Sequence, residues 1–524
     1  MGYNKKVPEV EQAHFSFLDA MDEQTNRPEK ASVQTPPNFH DPDAERLFVG
    51  EVSLRKYLET NGFSWVIRLR ELIGQSDWEP FMRVYTGRGR KAVHPRIILG
   101  LIFYGMFQRQ WSLRDLEKLA LRDVGAWWVC GGVQPDHSTV GRFINTHAEV
   151  LSEPYFISMA QKLVSLLKIN TGEVAGDGTV TEAYGSRFKS LKAEALREMA
   201  IQARQEASEN PTNGAAATKA EQVAQAAEIA EQRSQQAKSK RGKADSVKVC
   251  LTEPEAVVQP LKNNARRPSY KPSVFANKAG FIVGQGLDPS NEPAMVRPML
   301  KQHEKIFGTL PSGLLLDGGY NSFGVLSMAV EMDLDLLVPA NSQEDSTSGK
   351  KSSTKQRFRK WDFHYDEKAD IYICPAGKPL HKSRGVQVQQ GRKLQQYQCK
   401  HPEQCSYREQ CTKSKQGRTV IRYEGEELKE AMRKVLEHPL AKARSRQRKW
   451  MVEPVFSALK DRQGLTKFHR RGLKKVKVEF ALHCIAYNLG CAIRLERRSN
   501  ALLLRLFCYQ EGDKYVVAAL LLLF

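Results

Sequence analysis

Between residues 281 and 340, short apolar runs alternate with amphipathic stretches. FIVGQGLD (281–288) reads as a strand, MVRPMLKQHEKIFG (295–308) as a helix stopped at Gly308, and GLLLDGG (313–319) as a second strand. FGVLSMAVEM (323–332) then reads as a helix and DLDLLVPA (333–340) as a buried strand. Runs this short must be covered by their neighbours, so the alternation predicts an α/β sheet with helices on its faces. One run carries a further constraint: three leucines lead straight into Asp317 and then two glycines. An aspartate before glycine commonly forms a turn. At a strand end it also offers an oxygen donor, with small neighbours that let backbone and a nucleic acid come close.

Two more carboxylates fit that second reading. GDGTVTEA puts Asp177 on a strand, followed by Gly178 and Thr179, within a Val- and Thr-rich stretch at 171–186. MVEPVFSALK puts Glu453 near the start of a late helix, with Lys460 seven residues on, about two turns along the same face. Two strand-end acids and one helical acid can converge on divalent ions, since Mg²⁺ takes oxygen ligands and keeps substrate phosphate in its shell. Two such ions activate an attacking oxygen and stabilise a leaving one in phosphoryl transfer. Each acid also has a structural reading: turn formers at Asp177 and Asp317, and a helix-start acid at Glu453.

The rest of the chain divides by composition. Residues 1–45 are polar and Pro-rich and are expected to be loosely ordered. Residues 46–168 have helical periodicity: Pro95 suits the first turn of a helix over RIILGLIFYGMFQ, Ser112 and Asp115 read as cap and first-turn acid, and AWWVCGG reads as a buried turn. A helix is predicted to start at Asp136 or Ser138. Short helices bearing Arg114, His137 and Arg142 fit a helix-turn-helix-like DNA reader, and equally a bundle that only packs. An Ala-, Glu-, Gln- and Lys-rich insertion at about 188–265 predicts a helical hairpin broken at NPTNG (210–214). A second insertion, at about 341–440, contains a polar loop and four cysteines. Residues 425–495 read as helical and basic, and 496–524 form a hydrophobic tail.

Charge narrows the partners. The chain has 80 Lys+Arg against 59 Asp+Glu, a net charge of +21, which favours a polyanion. The excess is clustered: KARSRQRKW (442–450) has five basic residues and KFHRRGLKKVK (467–477) six, on either side of Glu453. Lys449, Lys460, Arg470, Arg471, Lys474 and Lys475, with Arg142 from the N-terminal helices, are the predicted phosphate contacts, which makes binding steeply salt-dependent. Trp450 is expected in the core in preference to stacking on a base. The longest apolar run, YVVAALLLLF (515–524), is far short of a bilayer span. MGYNKKVPEVEQ lacks the apolar core of a signal peptide. The expectation is a cytoplasmic, nucleoid-associated protein with no membrane partner and with reduced thiols.

Taken together, GDGTVTEA, DGGYNS and WMVEPVFSALKDRQGLTKFHRRGLKKVKVEFALHCIAYNL resemble the DDE transposases of bacterial insertion sequences. The first family motif falls on Asp177 and Thr179, the second on Asp317, Gly319 and Tyr320. The third falls on Glu453 and Lys460, followed by Phe468, Arg470, Arg471 and Gly472 and ending in Asn488. HPRIILGLIFYG, SLRDLE and PDHSTVGRF resemble the helical domain that precedes the core in this group. Where the family often has Tyr and Arg ahead of the Glu, this chain has Arg446 and Lys449. The resemblance implies a ribonuclease H-like mixed sheet over 171–495, with Asp177 and Asp317 on neighbouring strands and Glu453 on a helix across the site. It implies two Mg²⁺ (or Mn²⁺) ions, cleavage at transposon ends, and joining of the freed 3′-hydroxyl to target DNA. The implied partners are double-stranded DNA with terminal inverted repeats, target DNA, and a second copy in a DNA-bound homodimer. The alternatives are a metal-dependent nuclease without strand transfer and a decayed, non-catalytic DNA-binding copy.

The cysteines of the second insertion are Cys374, Cys399, Cys405 and Cys411. Four thiolates suit a tetrahedral Zn²⁺ site, although the spacing lacks a close Cys-x-x-Cys pair, and ordinary thiols fit it as well.

Overall fold

The computed structural model describes residues 38–40, 42–85, 91–239, 247–261, 264–341, 358–389 and 391–510. The segment 1–37, part of the basic cluster after the helical hairpin, the polar loop at 342–356 and the terminal YVVAALLLLF lie outside the described residues.

The described residues 38–40, 78–85 and 91–94 belong to one compact unit. Its described part is an aromatic cluster. Phe39 stands edge-on to Tyr85 and His94, each at 5.0 Å, and Trp78 meets His94 at 5.3 Å. Backbone pairing of Asn38 and His40 with Ala92 closes it.

The second unit holds residues 42–77 and 95–524. Its N-terminal part is helical, and the local signals act as the sequence suggests. Pro95 opens the buried helix Pro95–Phe107, where its missing N–H leaves no bond unmade. Ser112 caps Leu113–Arg122, and Asp136 caps His137–Thr146 by accepting the Thr139 N–H at 2.6 Å. AWWVCGG differs from expectation: Asp123 caps a helix, Val124–Cys130, that buries Trp128, and only Gly131 and Gly132 turn.

A seven-stranded mixed sheet follows among the described residues. Its main strands are β1 (Glu173–Gly178), β2 (Arg266–Asn277), β3 (Ile282–Asp288), β4 (Gly313–Leu315) and β5 (Leu336–Leu337). β1 is central. On one side it pairs antiparallel with β2, which pairs antiparallel with β3. On the other it pairs parallel with β4, which pairs parallel with β5. Helices Val296–Phe307 (α1) and Phe323–Glu331 (α2) connect the strands as predicted. β2, the longest strand, is not evident from the sequence, because Pro268 and Pro272 argue against an interior strand. Here the Pro272 carbonyl still accepts the Thr179 N–H at 2.9 Å, so the strand keeps its place beside the first acidic motif.

The first insertion is the expected hairpin, Ala193–Glu209 and Gly214–Ser239, turning at 210–213. The second is a six-stranded antiparallel sheet, which composition did not reveal. Its strands are β6 (His364–Asp366), β7 (Ile371–Ile373), β8 (Pro379–Lys382), β9 (Gln387–Gln389), β10 (Arg392–Cys399) and β11 (Thr419–Tyr423). Helix α3 (Pro439–Ser457) then returns to pack on β1, β2 and β4, and α4 (Leu473–Gln510) closes the unit. Among the described residues, Leu473–Arg497 is the one helical stretch long and apolar enough to cross a membrane. It was not singled out from the sequence because charged residues interrupt it. Within the protein that window is 94% buried, against the N-terminal helices and β3. Asn488 locks this packing: its amide accepts the Ile282 N–H at 2.9 Å and donates to the Ile282 carbonyl at 2.8 Å.

Candidate active site

Strands β1 and β4 run side by side with Leu315 opposite Ala175. Two residues further along each chain lie Asp177, still paired with Val274 of β2, and Asp317, just past the end of β4; adjacent strands stand ~4.8 Å apart. Each carboxylate is steadied by a backbone N–H at 2.9 Å, that of Gly178 for Asp177 and that of Gly319 for Asp317. Burial holds the Asp177 carboxyl above its ordinary range; Arg448 opposes that shift and Asp317 adds to it. The Arg448 Nη1 stands 3.1 Å from Asp177 Oδ2.

A third acid beside them was not foreseen. Glu292 opens the short turn Glu292–Met295, which lies against the Gly318–Tyr320 turn. Its carboxyl is also held above the usual range, first by burial, with Asp317 and Asp177 adding to the rise and Lys271, 3.5 Å away, opposing it. Gly178 explains how it fits: a Cβ there would stand 2.7 Å from the Glu292 carboxyl carbon. At Gly318 a Cβ would stand 2.8 Å from the Ala340 carbonyl oxygen. The space that these glycines open is thus taken by the protein's own groups, not left for a nucleic acid. Tyr320 is fully buried beneath the three acids, and burial drives its phenol upward. Only the Gly at position 178 hints at Glu292 in the sequence, because the two lie far apart along the chain.

Glu453 comes from α3, which lies across the same sheet. Arg444 fixes the helix by donating to Glu173 at 2.6 Å and to Asp335 at 2.8 Å, at the opposite strand ends from the aspartates. Arg448, one turn on, reaches Asp177. Met451, Val452 and Val455 are buried, whereas Glu453 is exposed. The helix passes Pro454 and widens into a π-turn over Ala458–Arg462. That turn delivers Lys460, whose Nζ donates to Thr179 Oγ1 at 2.5 Å and to the Val180 carbonyl at 3.3 Å. The third motif is therefore tied to the first through Lys460 and Thr179. Asp177, Asp317 and Glu292 form one electrostatic cluster, and Glu453 stands on the helix beside it. Among the described residues, no three His, Cys, Asp or Glu side chains stand where they already enclose one ion.

The predicted basic contacts sort into three kinds. Lys449, Lys475 and Arg142 are exposed. Arg471 and Lys474 are exposed but engaged, Arg471 over the Tyr184 ring at 4.9 Å and Lys474 with Glu149 at 3.0 Å. Arg470 and Lys460 are partly covered. The segment bearing Arg470 is held by buried Glu479, which accepts the N–H groups of His469 and Arg470 and the Trp111 indole N–H at 3.0 Å. Arg114 and His137 are exposed on the N-terminal helices, His137 against Glu117 at 2.9 Å. Trp450, expected in the core, is 84% exposed. It sits one turn before Glu453 on the outer face of α3, because Met451 and Val452 take the buried face.

Comparison with known families supplies the class. Residues 373–491 match the family described as Transposase DDE domain, and residues 56–146 match the family described as Transposase domain (DUF772). The first match spans Glu453 and the four cysteines, the second most of the N-terminal helices. Two transposase families thus meet in one chain, and together they support a DDE transposase of insertion-sequence type. No curated protein matches the chain.

Proposed function

We propose that this protein is a DNA transposase that cleaves insertion-sequence ends and joins the freed 3′-hydroxyl to target DNA by metal-dependent phosphoryl transfer. The observation that carries this reading is the pair Asp177 and Asp317 at matching ends of adjacent parallel strands. The mixed sheet built around β1 supports a ribonuclease H-like core, with the two aspartates on neighbouring strands and Glu453 on a helix that packs across them.

The donor set suits a hard cation. Asp177 and Glu292 are carboxyls raised by burial and by neighbouring negative charge, that of Asp317 at Asp177 and those of Asp317 and Asp177 at Glu292, a repulsion that a divalent ion relieves. Asp177, Asp317 and Glu453 would hold Mg²⁺ or Mn²⁺. When bound, two such ions supply charge neutralisation at the attacking and leaving oxygens. The chain's own groups do the positioning. Arg448 holds the Asp177 side chain, and Lys460 holds the Thr179 hydroxyl and the Val180 carbonyl that follow it. Lys449 and Trp450, exposed beside Glu453, would meet a phosphate and a base of the DNA, and Lys475 and Arg142 would extend the contact. Two such chains would pair the two transposon ends.

The test is a strand-transfer assay with DNA carrying the inverted repeats that flank the gene, in Mg²⁺ or Mn²⁺. Joined product from the wild type, lost in Asp317→Asn, is expected. Nicks without joining would favour a nuclease, and no reaction with any divalent metal would favour a DNA-binding copy without activity.

A further inference from the structure

The cysteines of the second insertion, which the proposed chemistry does not use, come together in the fold. Cys374 directly follows β7, Cys399 ends β10, Cys405 lies in the loop after it, and Cys411 closes the short helix Arg408–Cys411. They are 25, 6 and 6 residues apart in the chain, yet all four line one cavity of about 30 Å³, floored by Phe363 and Leu380. That is more room than a single water needs. All four are free thiols.

Three features make this cavity more than a chance gathering of thiols. First, the turn after β7 presents a sulfur to a donor. Gly377 takes φ +70°, its N–H bonds the Cys374 carbonyl at 2.8 Å, and the Lys378 N–H donates to Cys374 Sγ at 3.3 Å. An N–H donated to sulfur fixes the direction in which that side chain points, as the outer partners of a metal's ligands do. Second, Lys378, Arg408 and Arg418 line the same cavity. Four thiolates around Zn²⁺ carry a net charge of −2, which cations at the rim offset. The Lys378 ammonium also donates to the Gln404 carbonyl at 3.0 Å, tying the Cys374 turn to the Cys405 loop. Third, the surrounding sheet is thinly supported. Its buried core is Phe363, Tyr372, Leu380, Tyr397 and Val420, with Cys374, Cys399 and Cys411 packed against it. A core this small ordinarily needs a disulfide or a metal to hold it.

We propose that Cys374, Cys399, Cys405 and Cys411 form a structural Zn²⁺ site that staples the inserted sheet. Binding replaces four S–H bonds by four Zn–S bonds and releases four protons to solvent, with no change of oxidation state. As they stand, no three of these thiols are placed to hold an ion, so the proposed site requires binding to draw the Cys405 loop and the Cys374 turn inward to Zn–S distances of about 2.3 Å. No step of the proposed DNA chemistry passes through this site.

The experiment uses the full chain, purified with reductant and reconstituted with Zn²⁺, with metal measured by mass spectrometry. One zinc per chain is expected, falling to background in Cys374→Ser and Cys405→Ser and unchanged in Cys250→Ser, a buried thiol outside the cavity. Because the serine variants can misfold, the wild type is also loaded with Co²⁺. Intense tetrahedral d–d bands with sulfur-to-cobalt charge transfer are expected, bleached by stoichiometric Zn²⁺. Absence of both zinc and the cobalt spectrum, zinc retained in both serine variants, or peptide mapping that finds these cysteines paired as disulfides would each overturn the proposal. Neither readout depends on DNA cleavage, so a negative result here is separate from failure of the transposase reading.

Discussion

The cluster of acids and the cluster of thiols rest on different foundations. Asp177 and Asp317 extend from strands whose neighbours Val174, Ala175, Leu314, Leu315 and Phe275 are completely buried. That sheet is held from the core outward, so it can carry carboxylates that repel one another. The cysteines line a small sheet with a five-residue buried core, and they are themselves part of its packing. The difference teaches that acids can be imposed on a stable scaffold at some cost in stability, whereas thiols serve as a scaffold's missing core. Removing an acid should therefore damage chemistry and spare the fold. Disturbing the inserted sheet should do the reverse locally.

The largest expected effect is on chemistry. Asp177→Asn and Asp317→Asn should each lower end cleavage by several kcal/mol of transition-state stabilisation, roughly a thousandfold, with thermal stability undiminished. A cleavage time course beside a melting curve checks both halves, and unfolding of either variant would break the comparison. Next comes Tyr372→Ala, which removes the centre of the inserted core and should cost about 3–5 kcal/mol. Hydrogen exchange should show protection lost over 358–423 and kept in β1 and β2. Loss across both sheets would mean that the two fold as one.

A smaller effect is expected at Glu292. Its carboxyl is raised above the ordinary 4.5, mainly by burial. The folded protein thus keeps this proton to higher pH than the unfolded chain does. The stability it contributes is complete below about 4.5 and is lost as pH rises through the raised value. Glu292→Gln should melt higher than wild type at neutral pH, by roughly one to a few degrees, and the gain should vanish under acid. A gain independent of pH would show that Glu292 is not the titrating group. The smallest effect should come from single phosphate contacts. Lys449→Ala should reduce the salt slope of DNA binding by about one. Lys460→Ala should instead lower turnover, because its ammonium holds Thr179.

Much of this architecture was legible because its signals are local. Pro95, Ser112 and Asp136 mark helix starts through backbone chemistry, and the NPTNG break marks the helical hairpin. The alternation at 281–340 gave the strands around Asp317. What was hidden depends on tertiary contacts. β2 contradicts its own prolines because neighbouring strands supply the remaining ladder. Glu292 joins Asp177 across more than a hundred residues of chain, with only a glycine to mark its place. Trp450 is exposed because the two residues after it take the buried face of α3, a choice that periodicity in so basic a helix does not fix. The inserted sheet escaped notice because its strands are short and rich in Gln, Lys and Arg.

The most direct test is a crystal structure of the DNA-bound protein soaked in Mn²⁺, read by anomalous scattering. The predicted result is manganese density between Asp177 and Asp317, with the Glu453 carboxylate turned into the same shell. Manganese bound elsewhere, or Glu453 still facing solvent while DNA occupies the site, would contradict a shared three-acid centre.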